Sequence, residues 1–160
     1  MSDTQKMQKP QGVALSKAEK IDRLCAQHSK NFRPEIGMVM EDGTIYAGVS
    51  PDTNKAMYVA PKHTILSMPF NEAAQYAKTL QVGDKNDFRM PSETELRVLF
   101  DNKDKGALKG TFNETGLNEP DGWYWSSART GELGGWGLKF DSGDTFCCDT
   151  RLRCLVRSVR

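Results

Sequence analysis

Four cysteines and two histidines are the side chains in this 160-residue chain best suited to metal or nucleophile chemistry. Cys25, Cys147, Cys148 and Cys154 form no C-x-x-C pair, and His28 and His63 lie far from Cys147, Cys148 and Cys154 in sequence. A structural zinc site needs closely spaced thiolate and imidazole donors, so this spacing argues against zinc. In a reducing compartment the thiols are read first as small buried apolar side chains, with thiol reactivity as the alternative. Neighbouring residues of a strand face opposite ways, so Cys147 and Cys148 cannot both point inward and one is expected to be exposed. Ser126 and Ser127 lack a G-x-S-x-G setting, neither histidine sits in a triad motif, and there is no glycine-rich phosphate loop.

Carboxylates and amides offer two further chemistries. In "DFRMPSETEL", Glu93 and Glu95 could act as an acid–base pair. The same residues also fit a helix start: Ser92 and Glu95 stand in capping-box register, and Glu93 falls in the first turn, where the helix dipole favours negative charge. The structural reading is the stronger, and Arg89 is expected to pair with an acidic side chain or strand-end carbonyls. Further on, Asn113, Glu114, Asn118, Glu119 and Asp121 are oxygen donors that a hard cation such as calcium could use, though spacing alone makes no cage. Finally, Arg151, Arg153, Arg157 and Arg160 give a local basic cluster near the end of the sequence. It could hold an anion, or be neutralised by Asp141, Asp144 and Asp149.

Elements must position these groups. Ser16 and Glu19 form a capping box ahead of Ala18, Ile21, Leu24 and Cys25 at helical spacing, which predicts a helix over roughly 16–29. Two β-rich runs, 36–40 and 44–49, flank Asp42-Gly43 and read as a hairpin, with a third strand around 57–60. "PFNEAAQYAKTL" predicts a helix capped by Asn71, and "MPSETELRVLFDN" one capped by Ser92. A polar stretch from Asn102 to Asp121 follows, long enough to suggest function. The remainder alternates short strands and tight turns, a meander.

In "GWYWSSA", Trp123 and Trp125 share one face of a strand and Tyr124 and Ser126 the other. No basic residues are interleaved with the rings, as nucleic-acid stacking would need, so the indoles are read as core. Basic and acidic side chains number 22 and 21, a formal net charge of +1, which gives no global pull toward nucleic acid or membranes. No window approaches the roughly 18 apolar residues of a membrane span, and the first residues carry no signal-peptide apolar run. The expectation is a protein that starts in the cytoplasm unless it is released as a virion or appendage component.

The order of motifs resembles a bacterial domain family found at the C-terminus of collagen-like adhesins, formerly a domain of unknown function. The matching residues are Arg89, Met90, Pro91, Ser92, Glu95 and Leu96; Tyr124 to Ser127; Trp136 to Gly143; and Arg153, Cys154, Val156 and Arg157. Phe88 and Leu155 depart from the family pattern, and the similarity spans about residues 36–160. The resemblance implies an α+β, C-type-lectin-like fold: two helices flanking a small antiparallel sheet (34–160), preceded by a polar tail and helical arm (1–33). It also implies recognition, since relatives act as adhesins or receptor-binding tips. The superfamily includes formylglycine-generating enzymes, but no motif here carries their active site over, and "EPD" at 119–121 lacks the W-N-D partner of calcium-dependent lectins.

The resulting expectation is a non-catalytic binding module for a protein or glycan surface, with no cofactor and no nucleic-acid partner. It would be attached to a larger assembly through residues 1–33 or assembled as a homo-oligomer. The candidate binding residues are Asn118, Glu119, Asp121, Tyr124, Arg129, Glu132, Lys139, Asp144, Thr145 and Arg151. The competing readings are a small enzyme using Cys147 or Cys148 and a cytoplasmic structural subunit.

Overall fold

The computed structural model describes residues 16–23, 32–115 and 122–160. The chain divides into two compact units, Met1–Arg33 and Pro34–Arg160. In the first unit, residues 17–23 are helical (α1). The Ser16 N–H donates to Glu19 Oε2 (2.8 Å) and the Glu19 N–H donates to Ser16 Oγ (3.2 Å), the reciprocal pair expected of a capping box. The remainder of the expected helix, with Cys25, lies outside the described residues.

The second unit opens with β1 (Ile45–Val49) and β2 (Ala56–Val59), an antiparallel pair. The run before Asp42-Gly43 contributes a single bridge, Val39 to Ile45, rather than the full strand expected. A three-residue strand that sequence patterning did not show, β3 (Leu66–Met68), leads into helix α2 (Phe70–Thr79). This helix starts earlier than expected. Pro69 is its N-cap, and Asn71 lies inside the first turn, where its side chain accepts a hydrogen bond from Arg129 instead of capping. Helix α3 (Glu93–Asn102) has the anticipated Ser92 capping box. Strands β4 (Trp123–Thr130), β5 (Gly134–Lys139), β6 (Thr145–Asp149) and β7 (Cys154–Val156) follow.

These strands build a five-stranded sheet in the order β3-β7-β4-β5-β6. Strands β4, β5 and β6 form the expected meander. The sheet is mixed, however, not antiparallel: β7 inserts between β3 and β4, antiparallel to the first and parallel to the second. A chain that leaves the edge strand β6 and returns to the middle cannot be read from local alternation.

Strand β4 is covered on both faces. Tyr124 packs with Leu96 and Leu99 of α3 and with Ile45, Met57, Leu138 and Phe140. Its neighbour Trp125 packs with Phe70, Ala73 and Ala77 of α2, and with Met90, Cys154 and Val156. Successive residues of a strand project to opposite faces, so α2 and α3 flank the sheet, one on each side. A smaller cluster joins Ala60, Val82 and Phe88. Residues 158–160 tie these parts together. They pair with Tyr58 and Ala60 on one side and, through Val159, with the backbone of Arg89 on the other.

Candidate functional site

The carboxylate pair comes first. Ser92 Oγ accepts from the Glu95 N–H (3.1 Å), and Glu95 Oε2 accepts from the Ser92 N–H (3.0 Å). Glu95 is fully buried and also receives both ends of the Arg89 guanidinium, each at 2.6 Å, and the Ser50 hydroxyl at 2.6 Å. Burial alone would raise its pKa, but the bonds from Arg89, Ser50 and the Ser92 N–H, with the Arg89 charge, outweigh it and hold the carboxyl at about 2. A permanently charged carboxylate with this many donors is a structural anchor, as its capping position suggested.

The expected binding residues do not form one site. Asn118, Glu119 and Asp121 lie outside the described residues. Tyr124 is corrected outright. It is completely buried, its hydroxyl accepts from the Asn113 N–H (2.8 Å), and burial pushes its pKa up to about 12. Placing it on an exposed face failed because both faces of β4 are covered. The other six fall at two ends of the β4–β5–β6 meander. Pairing of Trp123 with Lys139 and of Leu138 with Thr145 puts Lys139, Asp144 and Thr145 at one end. Pairing of Thr130 with Gly134 and of Gly134 with Asp149 puts Arg129, Glu132 and Arg151 at the other.

The supposed basic cluster disperses. Arg151 pairs with Asp149 (2.9 Å from Nε to Oδ1), whose carboxyl the Arg151 hydrogen bond lowers to about 2. Arg153 donates to the Ser67 carbonyl. Arg160 pairs with Asp87 (2.8 Å) and Asp42 (3.5 Å), carboxylates that sequence proximity did not suggest. Arg157 is fully buried: its guanidinium lies over the Phe112 ring (5.0 Å), with one bond to Thr111 Oγ1 (3.3 Å). Burial draws its pKa down to about 10.

Of the expected cation ligands, Glu114 pairs with Lys103, and Asn113 Oδ1 accepts from the Thr115 N–H (3.0 Å) and hydroxyl (2.7 Å). Among the described residues no group of three His, Cys, Asp or Glu is placed to hold a metal ion. The vicinal cysteines divide as alternation requires. Cys147 is exposed, with its sulfur 2.9 Å from Thr130 Oγ1, while Cys148 packs against the cluster that contains Trp125.

At the Arg129 end the structure assembles something the sequence reading missed. The β4–β5 turn (131–133) and the β6–β7 turn (150–153) are joined by the Thr150 N–H donating to the Leu133 carbonyl (2.8 Å). Each presents an exposed leucine: Leu133 at 62% and Leu152 at 44%. Arg129, Glu132, Arg151 and Arg153 belong to the same turns and strand ends. The available signal was a leucine inside each of two polar turn segments, "TGELGG" and "DTRLRC". Two exposed leucines thus stand on turns joined by a hydrogen bond, with charged residues in the same segments.

The family model described as Lcl C-terminal domain matches residues 37–160. No curated protein matches the chain.

Proposed function

The chain belongs to the Lcl C-terminal domain family, and from that premise we propose that it is a non-catalytic recognition module on a C-type-lectin-like scaffold. Its binding surface is the Leu133–Leu152 end of the meander, and its ligand is a protein or glycan surface. The observation that carries this reading is the pair of exposed leucines on two hydrogen-bonded turns with Arg129, Glu132, Arg151 and Arg153 around them. The two turns are joined through the backbone, by the Thr150 N–H donating to the Leu133 carbonyl, which leaves the exposed leucine side chains free to vary. Residues 1–33 attach the module to a larger assembly or to further copies.

The test is binding of the full chain to a glycan array and to a panel of immobilised extracellular matrix proteins. The Leu133→Asp, Leu152→Asp double variant is run beside it. Both substitutions are on exposed turns and should leave the circular dichroism melt within about 1 kcal/mol of the parent. Binding lost in the variant supports the surface. Equal binding by the two proteins sinks it.

A further inference from the structure

A cleft of about 180 Å³ lies on the α2 side of the sheet, and none of its lining residues belongs to the two leucine-bearing turns. Phe70, Ala74 and Lys78 of α2, Arg89 and Met90 ahead of α3, and Ser127 of β4 line it. The register of β4 shifts between Trp125 and Arg129, and the Ser127 N–H donates to the Pro91 carbonyl (2.7 Å), which ties this irregular stretch of β4 to the Met90–Pro91 segment.

The floor and the rim differ in character. Phe70, Ala74 and Met90 make an apolar floor, and a cavity of about 150 Å³ with apolar walls accepts a benzene ring in other proteins. Around that floor Lys78 and Arg129 carry positive charge that no carboxylate pairs among the described residues, while Arg89 is paired with Glu95. Arg129 stands over the Phe70 ring at 4.6 Å, and its hydrogen-bond partners, Asn71 Oδ1 and the Glu132 carbonyl, are both neutral. Arg89 has five N–H donors, of which Glu95 and the Met90 carbonyl engage three. No carboxylate lines the cleft.

We propose that this cleft binds a small carboxylate carried one or two bonds from an aryl or branched alkyl body. The body fills the space over Phe70, Ala74 and Met90, and the carboxylate meets Lys78 and the free N–H groups of Arg89. A bare oxyanion would leave the apolar floor uncovered, and an uncharged ring would make no use of the exposed Lys78 ammonium at the rim; the combination uses both. The cations are solvent-exposed and the contact area is small, so affinity is modest, with a Kd on the order of 1 mM that weakens as salt is raised. The site shares Arg129 with the Leu133–Leu152 end, but its test reads Ala74 and Lys78, so its failure would leave that reading untouched.

The experiment is a titration of the ¹⁵N-labelled full chain followed by amide chemical shifts. Phenylacetate stands for a free acid, and the peptide Gly-Gly-Phe stands for a polypeptide C-terminus. Acetate and phenylacetamide each lack one half of the proposed chemistry. Saturable shifts at Ala74, Lys78 and Ser127 with phenylacetate or the peptide are expected, at least tenfold weaker with acetate and with the amide. The tighter of the two acids identifies the source. Lys78→Glu, a surface change that leaves the fold intact, should weaken binding about fivefold or more, and Ala74→Trp should abolish it by filling the floor. No saturable shift at 20 mM of either acid overturns the proposal. So does unchanged binding by Lys78→Glu, or acetate binding as well as phenylacetate.

Discussion

Glu95 serves several groups at once: it closes the capping box of α3, neutralises Arg89 and receives Ser50 from the loop after β1. Arg89 is partly exposed, so breaking this pair should cost less than the 3–5 kcal/mol of a fully buried one. Glu95→Gln is expected to destabilise the domain by about 2 kcal/mol at neutral pH, measured by urea unfolding. The folded-state pKa, about 2, lies below the ordinary 4.5, so the fold favours the charged form. That contribution is complete above about pH 4.5 and is lost as the pH falls toward 2. The gap between parent and variant should therefore narrow across that window; a constant gap would show that the charge is not responsible. Arg89 and Glu95 were legible because capping chemistry is local. Arg157 was not: it stands among arginines in sequence, and only the packing of Phe112 over it reveals a buried cation.

At the scale of elements, β5 is shaped by what presses on it. An added Cβ at Gly135 would stand 2.7 Å from Phe70 Cδ2 and 2.9 Å from Trp125 Cζ3, so α2 and β4 close directly over the bare backbone. Gly135→Ala should destabilise by about 1–3 kcal/mol through overpacking. Combining it with Phe70→Leu should cost less than the sum of the two single changes, a coupling that thermal melts of the four proteins would read. Additivity would mean the helix does not constrain the strand. Helix α3 and the β4–β5–β6 meander could be read from capping and alternation, which act over a few residues. The start of α2 could not, because Asn71 has the chemistry of a cap but is taken by Arg129, 58 residues away. The crossing of β7 back beside β4 leaves no mark in local pattern. "GWYWSSA" lies in the core as its sequence suggests, but Tyr124 is not open to a ligand, because two helices from distant segments cover the two faces of one strand.

For the molecule as a whole, residues 34–160 contain every cluster of the described core, while the described residues of α1 are exposed. A chain beginning at Pro34 should therefore melt within about 2 °C of the full protein, by calorimetry. Light scattering of the two proteins then tests attachment: a larger mass for the full chain alone supports assembly through residues 1–33. Removing residues 158–160, by contrast, should abolish the cooperative transition. Those three residues supply the backbone partners of Tyr58, Ala60 and Arg89, and buried peptide groups tolerate little loss of pairing.

That stitching by residues 158–160 has a consequence during synthesis. Tyr58 and its partner Arg160 are separated by about 100 residues, which a ribosome adds in about 5–20 s. Throughout that interval β1 and β2 have been made while the strand partner they need is still untranslated. The domain must complete its fold late, after residue 160 has emerged. Until then its β-rich first half is a substrate for holding chaperones and for mispairing with neighbouring nascent chains on the same message.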